Sequence, residues 1–246
     1  MIIQGIQKMT LLDFPGHVAC TLFLSGCDFR CPFCHNYELV DGTGAGFDDV
    51  ELKAPPAMSH EEFFKFLQTR KGLLDGVAIT GGEPCLRRDL PEFIAEIKDA
   101  GFLVKLDTNG NHPDMLRNLV RQRLIDYVAM DIKNSPEKYA KTVGLEALDL
   151  DSIMESIDIL INGVGSDSRI PYEFRTTVIS QFHEEEDFLK IGEMIQGAEK
   201  YFLQPFVDRD MVPDHSLSAP PIEVLQKYRE LVSRFVSEAQ IRGIDG

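Results

Sequence analysis

Tryptophan is absent from this chain, and basic residues are the minority, with 25 Lys+Arg against 40 Asp+Glu and a formal charge of −15. Nucleic acids are gripped chiefly by clustered lysine and arginine on their phosphates, so this acidity argues against a nucleic-acid partner. The plain consequence of −15 is solubility. No apolar run approaches the ~20 residues that a membrane-spanning helix needs. The opening Met1-Ile2-Ile3-Gln4-Gly5 has no basic stretch leading into an apolar core. These absences predict a cytosolic (cytoplasmic) protein without membrane attachment. Cysteines are few as well: Cys20, Cys27, Cys31, Cys34 and Cys85. Their number is odd, and three fall within eight residues. In a reducing compartment such a cluster reads as a metal or catalytic site before it reads as disulfides. Hydrophobic residues at 43% and charged residues at 26% are ordinary globular values and exclude disorder. At 246 residues the chain can bury a sizeable core without disulfide staples.

Runs of β-formers alternate with helical patterns. Val18–Leu24 alternates, with Val18, Cys20, Leu22 and Leu24 on one face. Ser59 and Glu62 form a capping box that opens a helix with Phe63, Phe64 and Leu67 on its apolar face. Gly76–Thr80 reads as a strand. A helix follows, with Pro91 in its first turn, Phe93, Ile94 and Ile97 as its stripe and Gly101 past its end. Strands over Phe102–Asp107, Asp126–Ile132, Tyr172–Ile179 and Tyr201–Gln204 alternate with helices over Pro113–Gln122, Asp151–Asn162 and Glu185–Gln196. A short helix starts at Ser135-Pro136, and one long helix spans Pro221–Ala239. About six strand–helix units predict an α/β fold with a parallel sheet and right-handed crossovers. A partial barrel and an open doubly wound sheet both fit the rhythm, and both place ligands at the C-terminal ends of strands. Asp41–Met58 and Asp208–Pro220 read as loops within a single domain covering 1–246, with its core at about 15–206 and the last helix packed against it.

The string Leu24-Ser25-Gly26-Cys27-Asp28-Phe29-Arg30-Cys31-Pro32-Phe33-Cys34-His35-Asn36 follows the first of these strands directly. Spacings of four and three let one loop wrap three thiolates around one inorganic centre, and Gly26 and Pro32 help the backbone turn. Three thiolates lacking a fourth suit a [4Fe–4S] cluster with one iron open to a ligand. A zinc site completed by His35, or plain buried or redox thiols, are the alternatives.

Further strings fall at predicted strand ends. Gly81 and Gly82 allow close backbone approach, and Glu83 beside them can hold an ammonium group, although such a string can also be only a tight turn. Asp107 and Asp131 should point into one mouth, where they could hold a cation or pair with Lys133. Arg175 within an apolar strand needs either a carboxylate partner or an anionic ligand. Cys20 reads as a small core side chain, and Cys85 as structural. Phe33 either shields the cysteines or packs on a ligand.

The Cys27, Cys31, Cys34 spacing with an aromatic before the last cysteine resembles the radical S-adenosylmethionine (SAM) superfamily. Phe23-Leu24-Ser25-Gly26 and His35-Asn36 narrow the resemblance to the activating enzymes of glycyl radical enzymes. The opening Met9-Thr10-Leu11-Leu12-Asp13-Phe14-Pro15-Gly16 is most similar to activating proteins of the anaerobic (class III) ribonucleotide reductase. The resemblance covers about residues 1–206 and implies a partial (β/α)6 barrel of the TIM-like, radical SAM type. It implies a [4Fe–4S] cluster on Cys27, Cys31 and Cys34, with SAM chelating the open iron. It further implies reductive cleavage of SAM to a 5′-deoxyadenosyl radical, which abstracts hydrogen from a glycine of the partner enzyme. Gly81, Gly82 and Glu83 would bind the methionine amino group, with Asn109 beside the cofactor. Lys133 would lie near the SAM carboxylate, Arg175 near that carboxylate or the ribose, and Phe33 and Gln204 near the adenine. Asp107, Thr108 and Asp131 would hold a monovalent cation. No catalytic protein acid or base is implied. The electron donor would be a flavodoxin, a ferredoxin or a similar small reductant. The run Leu203-Gln204-Pro205-Phe206-Val207 lacks the histidine of pyruvate formate-lyase activases, which favours the ribonucleotide reductase type. Activation of another glycyl radical enzyme, or action on a small molecule such as a deazapurine precursor, is the alternative.

Overall fold

The computed structural model describes residues 3–40, 58–165 and 169–243. Most of the expected loop over Asp41–Met58 lies outside the described residues. Eight strands form one sheet in chain order. They are β1 (Ile3–Thr10), β2 (Ala19–Leu24), β3 (Gly76–Gly81), β4 (Leu103–Thr108), β5 (Tyr127–Asp131), β6 (Tyr172–Val178), β7 (Lys200–Pro205) and β8 (Glu238–Ile241). Strands β2 to β8 run parallel, each beside its sequence neighbour, and β1 pairs antiparallel with β2. The first and last strands are not paired to each other, so the curved sheet stays open. This is the partial-barrel alternative of the sequence reading.

The helices follow the expected punctuation. Helix α1 (His60–Gln68) starts at the capping box, where Ser59 Oγ accepts from the Glu62 N–H at 3.2 Å and the Ser59 N–H donates to Glu62 Oε2 at 2.9 Å. Helix α2 (Leu90–Asp99) carries Pro91 in its first turn and ends just before Gly101, whose φ of +95° is the left-handed conformation that glycine favours. Helices α3 (Pro113–Arg121), α4 (Pro136–Thr142), α5 (Leu150–Asn162) and α6 (Glu185–Met194) fill the later crossovers.

Two strands depart from expectation. The helix expected over Pro221–Ala239 ends early: α7 (Ile222–Val232) is followed by a turn and by β8. The chain reverses because the Gly197 N–H donates to the Phe235 carbonyl at 2.9 Å and the Ser237 N–H to Ala198 at 2.9 Å, which steers residues 238–241 onto the β7 edge. The other is β1. Its register is broken between Ile3 and Gly5 and between Gln7 and Thr10, so the two-residue alternation that marks a strand is lost.

Strand alternation sorts the side chains onto two faces. Cys20, Leu22, Leu24, Val77, Ile79, Val104, Leu106, Val128, Met130 and Phe174 are buried in the main apolar cluster. Lys105, Asp107, Asp131, Glu173 and Arg175 fall on the opposite face, inside the barrel. The interior is therefore ionic rather than apolar, and that polarity lies directly beneath the site.

Candidate active site

A cavity of about 250 Å³ opens at the C-terminal ends of the parallel strands. Cys27, Cys31, Phe33 and Cys34 reach it from the loop after β2, and Gly81, Gly82 and Glu83 from the end of β3. Asp107, Thr108 and Asn109 come from β4, Asp131 and Lys133 from β5, Arg175 from β6 and Gln204 from β7. Strand ends thus bring together every residue that the sequence marked for the site. Cys20 is fully buried in the sheet–helix core and Cys85 is buried, and neither lines the cavity. A second cavity of about 170 Å³ lies between the segment after β1 (Leu12, Asp13, Pro15) and Arg242 after β8. It shares Asp107, Arg175 and Gln204 with the first.

The partners of these residues differ in part from expectation. Glu83 is buried at 1% exposure. Its carboxylate accepts from the Asn109 N–H at 2.6 Å, the Thr108 hydroxyl at 2.8 Å and the Cys85 N–H at 2.9 Å. Burial pushes this carboxyl up, against the pull of those three donors. Glu83 thereby clamps the end of β3 to the end of β4. The two glycines before it serve the cysteine loop. Gly81 has φ +114°, and a side chain at Gly82 would overlap the Gly26 carbonyl. The Gly82 N–H donates to Leu24 at 2.8 Å and the Glu83 N–H to Gly26 at 2.8 Å, so the turn is laced to the backbone leading into Cys27.

Asp107, Thr108 and Asp131, the expected cation set, each have protein partners. Thr108 donates to Glu83, Asp107 pairs with Lys105 and with Arg175 Nη1 at 3.4 Å, and Asp131 pairs with Arg175 Nε at 2.9 Å and Lys133 Nζ at 2.9 Å. Arg175 and Lys133 hold the Asp131 carboxyl far below the usual range, outweighing its burial. Arg175 therefore has the carboxylate partners that its burial requires, and it lines the cavity as well.

Burial raises all three loop thiols, Cys31 to about 12, with the Lys133 ammonium opposing. A positive inorganic centre is what would make such sulfurs ionise. Among the described residues no three Cys, His, Asp or Glu side chains are placed to share a single metal ion. The His35 ring instead stacks on Phe206 with centroids 5.9 Å apart, and its Nε2 bonds the Val207 carbonyl at 2.7 Å. Three thiols spread around one cavity, without a converging histidine, fit a multi-iron centre that leaves a ligand position open. Among the described residues no fourth donor is placed for the mononuclear zinc alternative.

Four neighbours of the site were missed in the sequence. Asp28 accepts from Asn109 Nδ2 at 2.8 Å and Asn111 Nδ2 at 2.6 Å, and bonds His112 Nε2 at 3.0 Å, tying the cysteine loop to the end of β4. His112 lies 84 residues from Asp28, beyond the reach of any local pattern. His183, buried, bonds the Lys133 carbonyl at 2.9 Å. Thr177 was findable, since it stands two residues beyond Arg175 on the same strand face.

The Asp28–His112 contact carries a pH signature. Burial would raise Asp28, but the bonds from His112, Asn111 and Asn109 outweigh it and set it at about 2. The bond to Asp28 raises His112. A depressed acid stabilises above its unfolded value and loses that contribution as pH falls through its folded one; a raised base stabilises below its unfolded value and loses it as pH rises through its folded one. Both contributions are present between about pH 4 and 6.5. His112→Asn is expected to lower the stability of the metal-free protein by about 1–2 kcal/mol in that window, and by less at pH 8, as read by urea unfolding. A pH-independent difference would show that the pair is not ionic.

The fold and the three-cysteine loop define an iron–sulfur enzyme class. Residues 21–172 match the Radical SAM superfamily, and the chain belongs to that superfamily. Membership implies a [4Fe–4S] cluster and SAM. The chain is homologous to glycyl-radical enzyme activating enzymes. It is 30% identical over 248 aligned residues to a protein of Methanocaldococcus jannaschii named "Putative glycyl-radical enzyme activating enzyme", covering 100% of this chain and 97% of that one. The pyruvate formate-lyase-activating enzyme of Listeria monocytogenes is 31% identical over 149 residues, 56% of each chain, so that match spans about half of its length. Streptococcus suis SuiB, solved with the precursor peptide SuiA, shares the fold with a TM-score of 0.61 at 13% identity, over 90% of this chain and 48% of its own. Among the described residues no helix is long and apolar enough to cross a membrane.

Proposed function

We propose that the protein activates a glycyl radical enzyme, with anaerobic ribonucleotide reductase as the preferred substrate. The observation that carries the reading is the single cavity holding Cys27, Cys31 and Cys34 beside Gly81–Glu83, Lys133, Arg175 and Gln204. Cys27, Cys31 and Cys34 would hold the cluster. Lys133 and Arg175 would be the cations for a SAM carboxylate, Gln204, Asn109 and Phe33 would border the nucleoside, and Gly81 and Gly82 would line the methionine end. When reduced and bound, the cluster and SAM together supply a carbon radical strong enough to take hydrogen from an unactivated C–H bond. The chain's own work is to orient, to exclude water and to admit the substrate. The ionic interior fixes the strand ends, and the glycine turn fixes the cysteine loop. A polypeptide loop entering between the segments that follow β1 and β8 would meet Asp107, Arg175 and Gln204, which line the second cavity.

The opening Met9–Gly16 string and the absence of histidine in Leu203–Val207 support the ribonucleotide reductase type. A small electron carrier of the flavodoxin or ferredoxin kind would supply the reducing equivalent. Anaerobically reconstituted protein with dithionite and SAM is expected to release 5′-deoxyadenosine. Adding an anaerobic ribonucleotide reductase is expected to raise a glycyl radical signal in electron paramagnetic resonance, and pyruvate formate-lyase is not. A stable zinc site without SAM cleavage would overturn the enzyme reading. A radical only on pyruvate formate-lyase would overturn the substrate.

A further inference from the structure

We infer that Arg30 and Arg87 form a guanidinium clamp on the cluster loop, which holds its carbonyls away from the sulfurs and makes the cluster easier to reduce. The inference rests on the cluster-binding reading above. Arg30 Nη1 donates to the Cys27 carbonyl at 2.6 Å and to the Phe29 carbonyl at 2.9 Å. From the other side, Arg87 Nη2 donates to the carbonyl and the hydroxyl of Ser25, each at 2.5 Å. Backbone donors take the next carbonyls: Gly82 bonds Leu24 and Glu83 bonds Gly26, both at 2.8 Å. The Phe29 N–H points to Cys27 Sγ at 3.4 Å, while the Gly26, Cys27 and Arg30 N–H groups donate to the Leu39, Val40 and Val143 carbonyls and fix the loop from its other side.

The charge matters as much as the geometry. In a chain with 40 acidic residues, neither guanidinium forms an ion pair among the described residues. Both are spent on neutral carbonyls of the loop that bears the thiolates. Arg87 shares its field with Asp89, two residues on, whereas Arg30 stands beside Cys31, where its charge acts on an anionic cluster. Net charge and hydrogen bonds around the sulfurs are the levers that set iron–sulfur potentials. Arg30 and Arg87 are positioning residues on this account, since they act through the loop and touch no reacting atom.

The test compares anaerobically reconstituted wild type, Arg30→Gln, Arg87→Gln and Arg30→Lys in a redox titration followed by electron paramagnetic resonance, without SAM turnover. Each Gln variant is expected to bind iron and sulfide as the wild type does. At a fixed applied potential its ratio of reduced to oxidised cluster should fall about tenfold, a shift of about 59 mV for one electron. Arg30→Lys keeps the charge and should stay near the wild-type midpoint. Unmoved midpoints in both Gln variants would overturn the inference, and so would a Lys variant shifted as far as Gln. If Arg30→Gln fails to load, Arg87→Gln and Arg30→Lys decide by the same criteria. A wild type that forms no cluster would instead count against the functional reading itself, so the two failures are separable.

Discussion

Cys31→Ala protein, reconstituted with iron and sulfide, is expected to hold no stable cluster and to release 5′-deoxyadenosine only at background. Cys20→Ala should keep both properties. The two residues differ in where their strand and loop place them, since both thiols are buried. Cys20 lies on the apolar face of β2 at 0% exposure, surrounded by the sheet–helix core. Removing its sulfur leaves a small cavity costing about 1 kcal/mol. Cys31 faces the site cavity with Cys27 and Cys34. With only three cysteines in the loop, a missing one leaves two anchors for four irons. Burial also holds the Cys31 thiol up at about 12, so cluster assembly must expel protons, and loading should be faster at pH 8.5 than at pH 7. Iron content, sulfide content and the nucleoside product are the three readouts. A folded Cys20→Ala protein that fails all three would refute the ligand assignment.

Asp131→Asn is expected to destabilise the metal-free protein by about 3–5 kcal/mol, measured by urea denaturation, whereas Arg175→Met should cost markedly less. The asymmetry follows from a charge count inside the barrel. Among the ion-paired side chains there, three carboxylates, Asp107, Asp131 and Glu173, face four cations, Lys105, Lys133, Arg175 and Arg242, while the Asp13 carboxylate is bonded to the Thr21 hydroxyl instead. Losing Arg175 leaves three against three. Losing Asp131 leaves two against four and removes the shared partner of Lys133 and Arg175, whose side chains are each only 14% exposed. The Asp131 carboxyl sits far below its ordinary value, so its stabilisation is complete above about pH 4 and is lost only as pH falls further. The gap between wild type and Asp131→Asn should accordingly persist from pH 5 to 8. Equal losses for the two variants would mean that local packing, not charge balance, governs the interior.

Much of this architecture was legible because period and punctuation agreed. The strands that became β2 to β7 carry clear β-rich runs, and α1 announces itself through Ser59 and Glu62. Reading failed where tertiary contacts override local pattern. Residues 3–10 lose their alternation to register breaks, and residues 233–241 lie beyond a helical stripe that β7 and the Gly197 and Ala198 backbone interrupt. At the site, membership was readable but partnership was not. Any residue at a parallel strand's C-terminal end faces the same mouth, so Glu83, Asp107, Asp131 and Arg175 were identifiable. Which of them would touch a ligand and which would touch each other depends on distances across strands. The Glu83 bonds that join β3 to β4 were therefore not foreseen, whereas the pairing of Asp131 with Lys133 and of Arg175 with carboxylates was among the expected alternatives.

The contact between Gly82 and Gly26 limits how this enzyme could be re-engineered. Because one backbone rests directly on the other, neither segment tolerates independent replacement. A chimera importing a foreign cysteine loop would need the donor's glycine turn along with it, and a library diversifying either stretch alone would be dominated by misfits. The two segments, some fifty-five residues apart in the chain, behave as one transplantable cassette.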